Sequence, residues 1–207
     1  MSLALPLAML SVHDLTCVRG MRPLFSGIGF SIGPGNWVHV RGANGAGKTS
    51  LLRLLAGLAQ PDAGEVRWNG ERVGGEDFRR ALMYLGHRAA VKEDLTALEN
   101  VRFAAQMDGV DLGEDEAMDA LARFGLGGRE DLPVRFLSAG QKRRVLLART
   151  VTRPAPLWIL DEPFTALDAK AVDFISGLIA DHVKAGGMAV LTSHQAIPLP
   201  PGQVVDL

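Results

Sequence analysis

Residues 42–49 of the chain read GANGAGKT, a glycine-rich run that ends in Lys48 and Thr49. This spacing matches a P-loop, in which backbone N–H groups cradle phosphate oxygens, a lysine reaches the terminal phosphates and a hydroxyl ligates Mg²⁺. Apolar residues 37–40 predict a strand before the loop, and the leucines of residues 50–58 predict a helix after it. A glycine-rich turn that matched by chance would lack this context. The predicted phosphate-binding residues are Gly42, Ala43, Asn44, Gly45, Ala46, Gly47, Lys48, Thr49 and Ser50.

Two adjacent carboxylates follow another apolar run. Leu157–Leu160 reads LWIL, and Asp161 and Glu162 come directly after it. Ligands of parallel sheets bind at the carboxyl ends of the strands. We therefore predict that Asp161, with Thr49, holds Mg²⁺, and that Glu162 is the general base that polarises the attacking water. Taken alone, such a pair could equally cap a strand end, but its occurrence together with the P-loop favours the roles in metal binding and catalysis.

The order of the apolar patterns predicts an α/β fold. Short or alternating apolar runs predict strands at residues 10–18, 30–40 and 64–69, and later at Leu157–Leu160 and Met188–Thr192. Helical spacing is found at residues 98–107, 117–124, 141–150 and 171–183. This order favours a mostly parallel sheet with helices on both faces and a helical insertion.

Composition narrows the class of protein. A net charge of −1 gives no electrostatic footprint for nucleic acid, so we expect no nucleic-acid partner. Cys17 is the only cysteine, which excludes an intrachain disulfide and fits a reducing compartment. No apolar run approaches the roughly 20 residues of a membrane-spanning helix. We interpret the apolar residues 1–10 as a loose tail rather than a signal peptide, so a membrane role would depend on a partner.

A third motif, LSAGQ at residues 137–141, lies between the P-loop and the carboxylates. By itself it predicts only a capped helix start. In this order it resembles the signature of ATP-binding cassette (ABC) proteins, usually LSGGQ, which contacts ATP bound by the other subunit. The resemblance implies a composite site in a dimer, with Asp168 in the D-loop at the dimer seam and His194 as the switch histidine at the γ-phosphate. The residues that it assigns to the signature are Ser138, Ala139, Gly140 and Gln141.

The same resemblance implies an α/β P-loop NTPase fold of the ABC type, with an N-terminal antiparallel β part, a mostly parallel sheet and a helical subdomain. The chain would form a single nucleotide-binding domain over residues 1–207. Its core would cover about residues 1–87 and 153–207, and its helical subdomain about residues 88–152. The implied activity is Mg²⁺-dependent hydrolysis of ATP.

A narrower resemblance covers nearly the whole chain. YLGH at residues 84–87, LTALENV at 95–101, SAGQK at 138–142, Trp158 and SHQ at 193–195 are similar to the ATP-binding subunit of the haem exporter of cytochrome c maturation. It implies a homodimer of cassettes bound to integral membrane permease subunits, peripheral to the cytoplasmic face of the bacterial inner membrane. The transported cargo is implied only by this resemblance.

The chain departs from the general ABC pattern at several positions. His87 stands where most members carry a glutamine that senses Mg²⁺, and we expect it to couple the nucleotide state to the membrane partner. Arg19 stands nearest the place of the aromatic residue that stacks on adenine, which leaves ATP or GTP open as the preferred nucleotide. A guanidinium can also stack on a base. We expect Arg143 and Arg144 to face solvent or the dimer seam.

Three other functions remain open. The chain could serve a different ABC transporter, or it could be a soluble, non-transport ABC ATPase, although such proteins generally fuse two cassettes. It could also be a P-loop kinase for a small molecule. A kinase would use the P-loop and Asp161 but would leave residues 137–141 and His194 without a role.

Overall fold

A computed structural model describes residues 9–86, 90–194 and 197–207. The strands are β1 (Leu10–Arg19), β2 (Arg22–Ile32), β3 (Trp37–Arg41), β4 (Ala63–Trp68), β5 (Glu71–Arg72), β6 (Leu82–Leu85), β7 (Leu157–Leu160), β8 (Met188–Thr192) and β9 (Gln203–Asp206). The α-helices are α1 (Lys48–Leu55), α2 (Glu76–Ala81), α3 (Ala97–Met107), α4 (Glu114–Arg123), α5 (Ala139–Leu147), α6 (Arg149–Thr152) and α7 (Ala169–Lys184). A 3₁₀ turn covers Val134–Phe136.

The strands form two sheets of different kinds. The first is antiparallel, with strand order β2-β1-β4-β5, and the second has the order β6-β7-β8-β3-β9 with parallel pairing throughout. In the parallel sheet, β3 leads into the P-loop and β7 leads into the two carboxylates. Both strands end at the same edge, because parallel strands share a direction. The predicted α/β fold, with its antiparallel N-terminal part and mostly parallel sheet, is confirmed.

The parallel sheet separates two hydrophobic cores. Successive side chains of a strand point to opposite faces, so Leu157 and Ile159 of β7 pack with α1 and the antiparallel sheet. Trp158 and Leu160 pack on the other face, with α7 and the helices between β6 and β7. All four residues of β7 are buried, and strands buried on both faces have this continuous apolar pattern. Asp161 therefore directly follows a strand that is buried on both faces.

Helices α3 to α6 lie together in sequence between β6 and β7. Thr96 caps α3 by accepting from the Glu99 amide at 3.1 Å, and the Glu99 side chain accepts from the Thr96 amide in return. The division of the chain into a core and a helical subdomain at residues 88 and 152 stays a prediction. Among the helices of the described residues, none has the length and apolar character required to span a bilayer.

Several element bounds differ from the sequence-based predictions. The second strand begins at Arg22 rather than at residue 30, because it pairs with β1 along nearly its whole length through irregular register shifts that break the alternation. The helix after the P-loop begins at Lys48, directly after Gly47. The helix predicted over residues 141–150 is divided into α5 and α6, and the Thr150 hydroxyl donates to the Leu147 carbonyl at the break.

Candidate nucleotide site

The loop between β3 and α1 has the backbone conformation of an anion cradle. Gly47 has a φ of 104°, which side-chain-bearing residues rarely adopt, and a Cβ there would lie 3.1 Å from Leu24 and Phe25. The turn directs the free N–H groups at the start of α1 towards the space above the loop. The Lys48 side chain folds over the loop, and its Nζ donates to the Gly42 carbonyl at 2.8 Å and to the Ala43 carbonyl at 3.3 Å. The ammonium is thus held inside the cradle.

Asp161 is held between two threonines. Its Oδ2 accepts from the Thr49 hydroxyl at 2.7 Å, and its Oδ1 accepts from the Thr192 hydroxyl at 2.8 Å. Asp161 is 1% exposed, so both hydrogen bonds lie in a solvent-poor environment. The pair of Thr49 and Asp161 offers the oxygen ligands that Mg²⁺ prefers, and Mg²⁺ is commonly held by one or two protein groups together with phosphates and waters. The donor set therefore fits the predicted ion.

Glu162 is fixed at both its backbone and its side chain. Its φ of 51° lies in the left-handed region, a strained conformation for a residue with a side chain. Its amide donates to the Thr192 hydroxyl at 2.9 Å. Its Oε2 accepts from the His194 amide at 3.2 Å, and the His194 Nε2 lies 3.4 Å from Oε1. That second contact lacks hydrogen-bond geometry, so within the described residues the buried Oε1 accepts no hydrogen bond.

These groups line one cavity of about 240 Å³ at the carboxyl end of the parallel sheet. Its lining residues are Arg19, Leu24, Asn44, Gly45, Gly47, Lys48, Thr49, Ser50, Asp161, Glu162 and His194. The structure thus brings the P-loop, both carboxylates and His194 together, with Arg19 and Leu24 from the antiparallel sheet at the margin. No phenylalanine, tyrosine or tryptophan is found among these lining residues, and Arg19 is the lining residue whose planar guanidinium could stack on a base.

The signature residues lie elsewhere. None of residues 137–141 lines this cavity. The exposed Ser138 caps α5, since its hydroxyl accepts from the Gln141 amide at 3.3 Å while the Gln141 side chain accepts from the Ser138 amide at 2.9 Å. Gly140 packs on the segment after the carboxylates, and a Cβ on it would lie 2.5 Å from the Ala166 carbonyl oxygen. The interpretation of this stretch as a helix cap therefore holds, and it leaves the signature role open.

Asp168 contacts both α5 and α7. Its Oδ1 caps α7 by accepting from the Ala171 amide at 2.8 Å, and its Oδ2 accepts from Arg144 at 2.5 Å. The Ala171 amide, together with the nearby guanidinium, lowers the pKa of the Asp168 carboxyl. The predicted D-loop residue thus links the helix that starts at the signature to α7.

Two residues close to the carboxylates were missed or misplaced by sequence analysis. Thr192 is fully buried and contacts both Asp161 and Glu162, yet a threonine at the end of a strand is a common β-residue and gives no signal. Arg143 is 5% exposed, so the expectation that it faces solvent or the seam is wrong. Burial lowers the pKa of its guanidinium, and the negative charges of Asp161 and Glu162 oppose that shift. His87 lies outside the described residues.

Comparison with known proteins decides the family. The family model described as ABC transporter matches residues 25–165. The chain belongs to the ABC transporter family. It is therefore an ABC-type ATPase, and ATP is its nucleotide class. The alternative of a P-loop kinase for a small molecule is excluded, because the family model that matches is that of ABC transporters.

Curated relatives narrow the family further. The chain is 54% identical over 201 residues to the cytochrome c biogenesis ATP-binding export protein CcmA of Dechloromonas aromatica (strain RCB), covering 96% of this chain and 98% of the relative. It is 50% identical to the protein of the same name from Nitrosomonas europaea (strain ATCC 19718 / CIP 103999 / KCTC 2705 / NBRC 14298), covering 93% and 91%. The cassette thus belongs with the CcmA proteins. A solved putative ABC transporter ATP-binding protein from Pyrococcus furiosus superposes with a TM-score of 0.83 at 26% identity, covering 96% of this chain and 97% of that one.

Proposed function

We propose that this cassette hydrolyses ATP with Glu162 as general base, in a site completed by the signature of a second copy. The observation that carries the proposal is the placement of the Glu162 carboxylate. It stands beside the P-loop and Asp161, is fixed by the His194 amide, and keeps one oxygen without a hydrogen bond in the described residues. A carboxylate in that position can accept a proton from a water molecule while the oxygen of that water attacks the γ-phosphorus.

Different residues of the chain would bind the phosphates, hold the metal ion and accept the proton of the attacking water. The P-loop amides and Lys48 bind and orient the β- and γ-phosphates. The same amides and ammonium stabilise the negative charge that develops on the phosphoryl oxygens during the reaction. When bound, Mg²⁺ supplies positive charge to the phosphate oxygens, and Thr49 and Asp161 are the residues that would hold it. Glu162 takes the proton of the attacking water as the bond between the γ-phosphorus and the bridging oxygen breaks. His194 stands beside Glu162 and can contact the γ-phosphate and the water.

We propose one further role for a residue at the margin of the cavity. Arg19 lines the cavity and carries a planar cation that can stack on the nucleobase. A guanidinium stacks on adenine and guanine alike, so this arrangement predicts weak discrimination between ATP and GTP. The coupling role of His87 stays a prediction.

The signature requires a second cassette. Ser138 is exposed at the start of α5 and lies outside the cavity that holds the P-loop, so within one chain it has no nucleotide to contact. The start of α5 offers backbone N–H donors suited to a γ-phosphate. A pair of identical chains, each with one P-loop and one signature, would complete two sites by symmetry. We therefore propose a homodimer, with Asp168 near its seam.

The proposal of a membrane partner rests on the names of the relatives and on the apolar surface of α3. The relatives carry the name of export proteins of cytochrome c biogenesis, and we propose that this cassette powers the same export, with haem as cargo, by docking on integral membrane permease subunits at the cytoplasmic face of the inner membrane. A groove of about 590 Å³ runs along α3 and includes Leu95 and Phe103. Phe103 is 40% exposed and Met107 is 71% exposed, so α3 offers apolar surface to a partner.

The test is a pull-down from detergent-solubilised membranes with the Glu162→Gln variant, with and without ATP and Mg²⁺. Because the variant binds ATP without rapid hydrolysis, the nucleotide-bound assembly should accumulate. We expect two copies of the chain together with haem-export membrane subunits. Recovery of a different permease would agree with the role as a transporter ATPase but would overturn the assignment of haem as cargo. A monomer without membrane proteins in both conditions would overturn the transporter proposal and favour a soluble ABC switch.

A further inference from the structure

A buried arginine joins the signature helix to the backbone that carries the general base. Arg143 lies on α5, five residues after the exposed Ser138, and is itself 5% exposed. Its Nη2 donates to the carbonyl oxygens of Asp161 at 2.7 Å and of Glu162 at 2.9 Å. Its Nη1 donates to the Gly86 carbonyl at 2.9 Å. Within the described residues, this guanidinium donates to three backbone carbonyls, two of which are those of Asp161 and Glu162.

The neighbouring positions on α5 do not share this arrangement. The Lys142 side chain is 22% exposed and pairs with Glu93, whose side chain is 64% exposed. Arg144 pairs with Asp168, whose side chain is 63% exposed. Burying a guanidinium is costly unless its donors are satisfied, and an interior position of a helix could have held an apolar residue. The cost at Arg143 therefore points to a role beyond filling space.

That role follows from the strain at Glu162. The residue adopts a φ of 51°, which its surroundings must impose. Its amide is fixed by the Thr192 hydroxyl and its carbonyl by Arg143. The peptide groups on both sides of the Glu162 Cα are thereby held, and with them the direction of the Cα–Cβ bond that carries the carboxylate. The guanidinium reaches the two adjacent carbonyls through Nη2 and the Gly86 carbonyl through Nη1, whereas a lysine offers a single nitrogen.

We propose that Arg143 is a positioning residue that fixes the Glu162 carboxylate by holding the backbone carbonyls of Asp161 and Glu162, and that it thereby ties the signature helix to the general base of the same chain. The inference rests on the proposed function of Glu162. It also gives the two half-sites of one chain a direct connection. A shift of α5 when its signature engages the second copy would be transmitted to Glu162 through one side chain.

The first test compares Arg143→Met with Arg149→Met in the full chain, in the form in which it hydrolyses ATP, alone or with co-purifying membrane proteins. Arg149 is also largely enclosed, with 22% side-chain exposure, but it pairs with Asp108 and does not contact the carboxylates. We expect kcat of Arg143→Met to fall roughly 10²-fold, as for a small misplacement of a catalytic group, while KM and nucleotide affinity stay unchanged. Arg149→Met should lower the melting temperature and leave kcat unchanged.

The second test is a double-mutant cycle with Glu162→Gln. If Arg143 acts through Glu162, adding Arg143→Met to Glu162→Gln should slow hydrolysis no further. Arg143→Lys retains the charge, and we expect an intermediate kcat; it also serves if Arg143→Met does not fold. A full, additional loss in the double variant would overturn the proposal, as would an equal kcat loss in Arg149→Met. Wild-type turnover in Glu162→Gln alone would instead overturn the proposed function of Glu162.

Discussion

The carboxylate region and the signature region of this chain differ in what their polar groups contact. Asp161 and Glu162 are buried and receive hydrogen bonds from the P-loop helix, from β8 and from the His194 amide. The signature start at Ser138 is exposed, and its polar groups bond within their own turn. The first region is a complete constellation within one chain. The second is an exposed helix start that, in the proposed composite site, would donate to the nucleotide bound by a second copy.

The largest expected effect separates chemistry from binding in the carboxylate region. Glu162→Gln retains shape and loses the base, so we expect ATP hydrolysis to fall by roughly 10²–10⁴. ATP affinity should be preserved, because Lys48 and the P-loop amides are untouched. Steady-state turnover and nucleotide titration measure the two quantities separately. Turnover close to that of the wild type would remove Glu162 from its role and would weaken the contrast between the two regions.

A second, smaller effect probes how the signature region is built. Gly140→Ala places a Cβ 2.5 Å from the Ala166 carbonyl, so α5 and the segment before Asp168 must move apart. We expect unfolding free energy to fall by about 1–3 kcal/mol, as for overpacking, together with a loss of turnover.

The matched control for this glycine lies on α7. Nothing lies within 4 Å of a Cβ added to Gly177, so Gly177→Ala should raise stability by about 0.5–1 kcal/mol and leave turnover unchanged. Chemical denaturation and an ATPase assay check both variants. Equal behaviour of the two alanine variants would show that the close contact at Gly140 has no functional consequence.

The smallest expected effect concerns Asp168, which caps α7 and pairs with Arg144. Asp168→Ala should lower the free energy of unfolding through loss of the cap. The exposed ion pair adds little, because such pairs are screened by solvent. Asp168→Asn retains a capping oxygen and should restore stability. If Asp168 also acts at the dimer seam, Asp168→Asn will still show reduced turnover; stability and turnover that recover together would confine Asp168 to its cap.

The sequence predicts the elements around the candidate site better than it predicts the residues that support them. The loop between β3 and α1 and the strand Leu157–Leu160 carry local patterns, and the structure forms both, because glycine spacing and a continuous apolar run have strong structural consequences. Thr192 and Arg143 are separated from the carboxylates by many residues, and their contacts arise only when β8 and α5 are packed in place. A charged residue beside two other cations on a helix predicts a solvated face, so the burial of Arg143 could not be inferred from pattern alone.

The same limit applies to strand bounds. The sequence predicts a strand only from residue 30, and residues 22–29 include Pro23, Gly27 and Gly29, which interrupt an alternating pattern. Antiparallel pairing with β1 tolerates these residues at an edge strand with an irregular register. Tertiary pairing thus decided where the strand begins, and local propensity did not.

The composite site is tested most directly by mixing two inactive variants. Lys48→Ala disables the P-loop, while Ser138→Asp retains the α5 cap and places a negative charge against the γ-phosphate; Ser138→Asn, which also caps but is neutral, is the control. In a mixed dimer, one site combines the intact P-loop of one chain with the intact signature of the other. We predict that mixing Lys48→Ala with Ser138→Asp restores hydrolysis that neither variant shows alone. No recovery in demonstrably mixed dimers would contradict the account and place the signature of each chain at its own nucleotide.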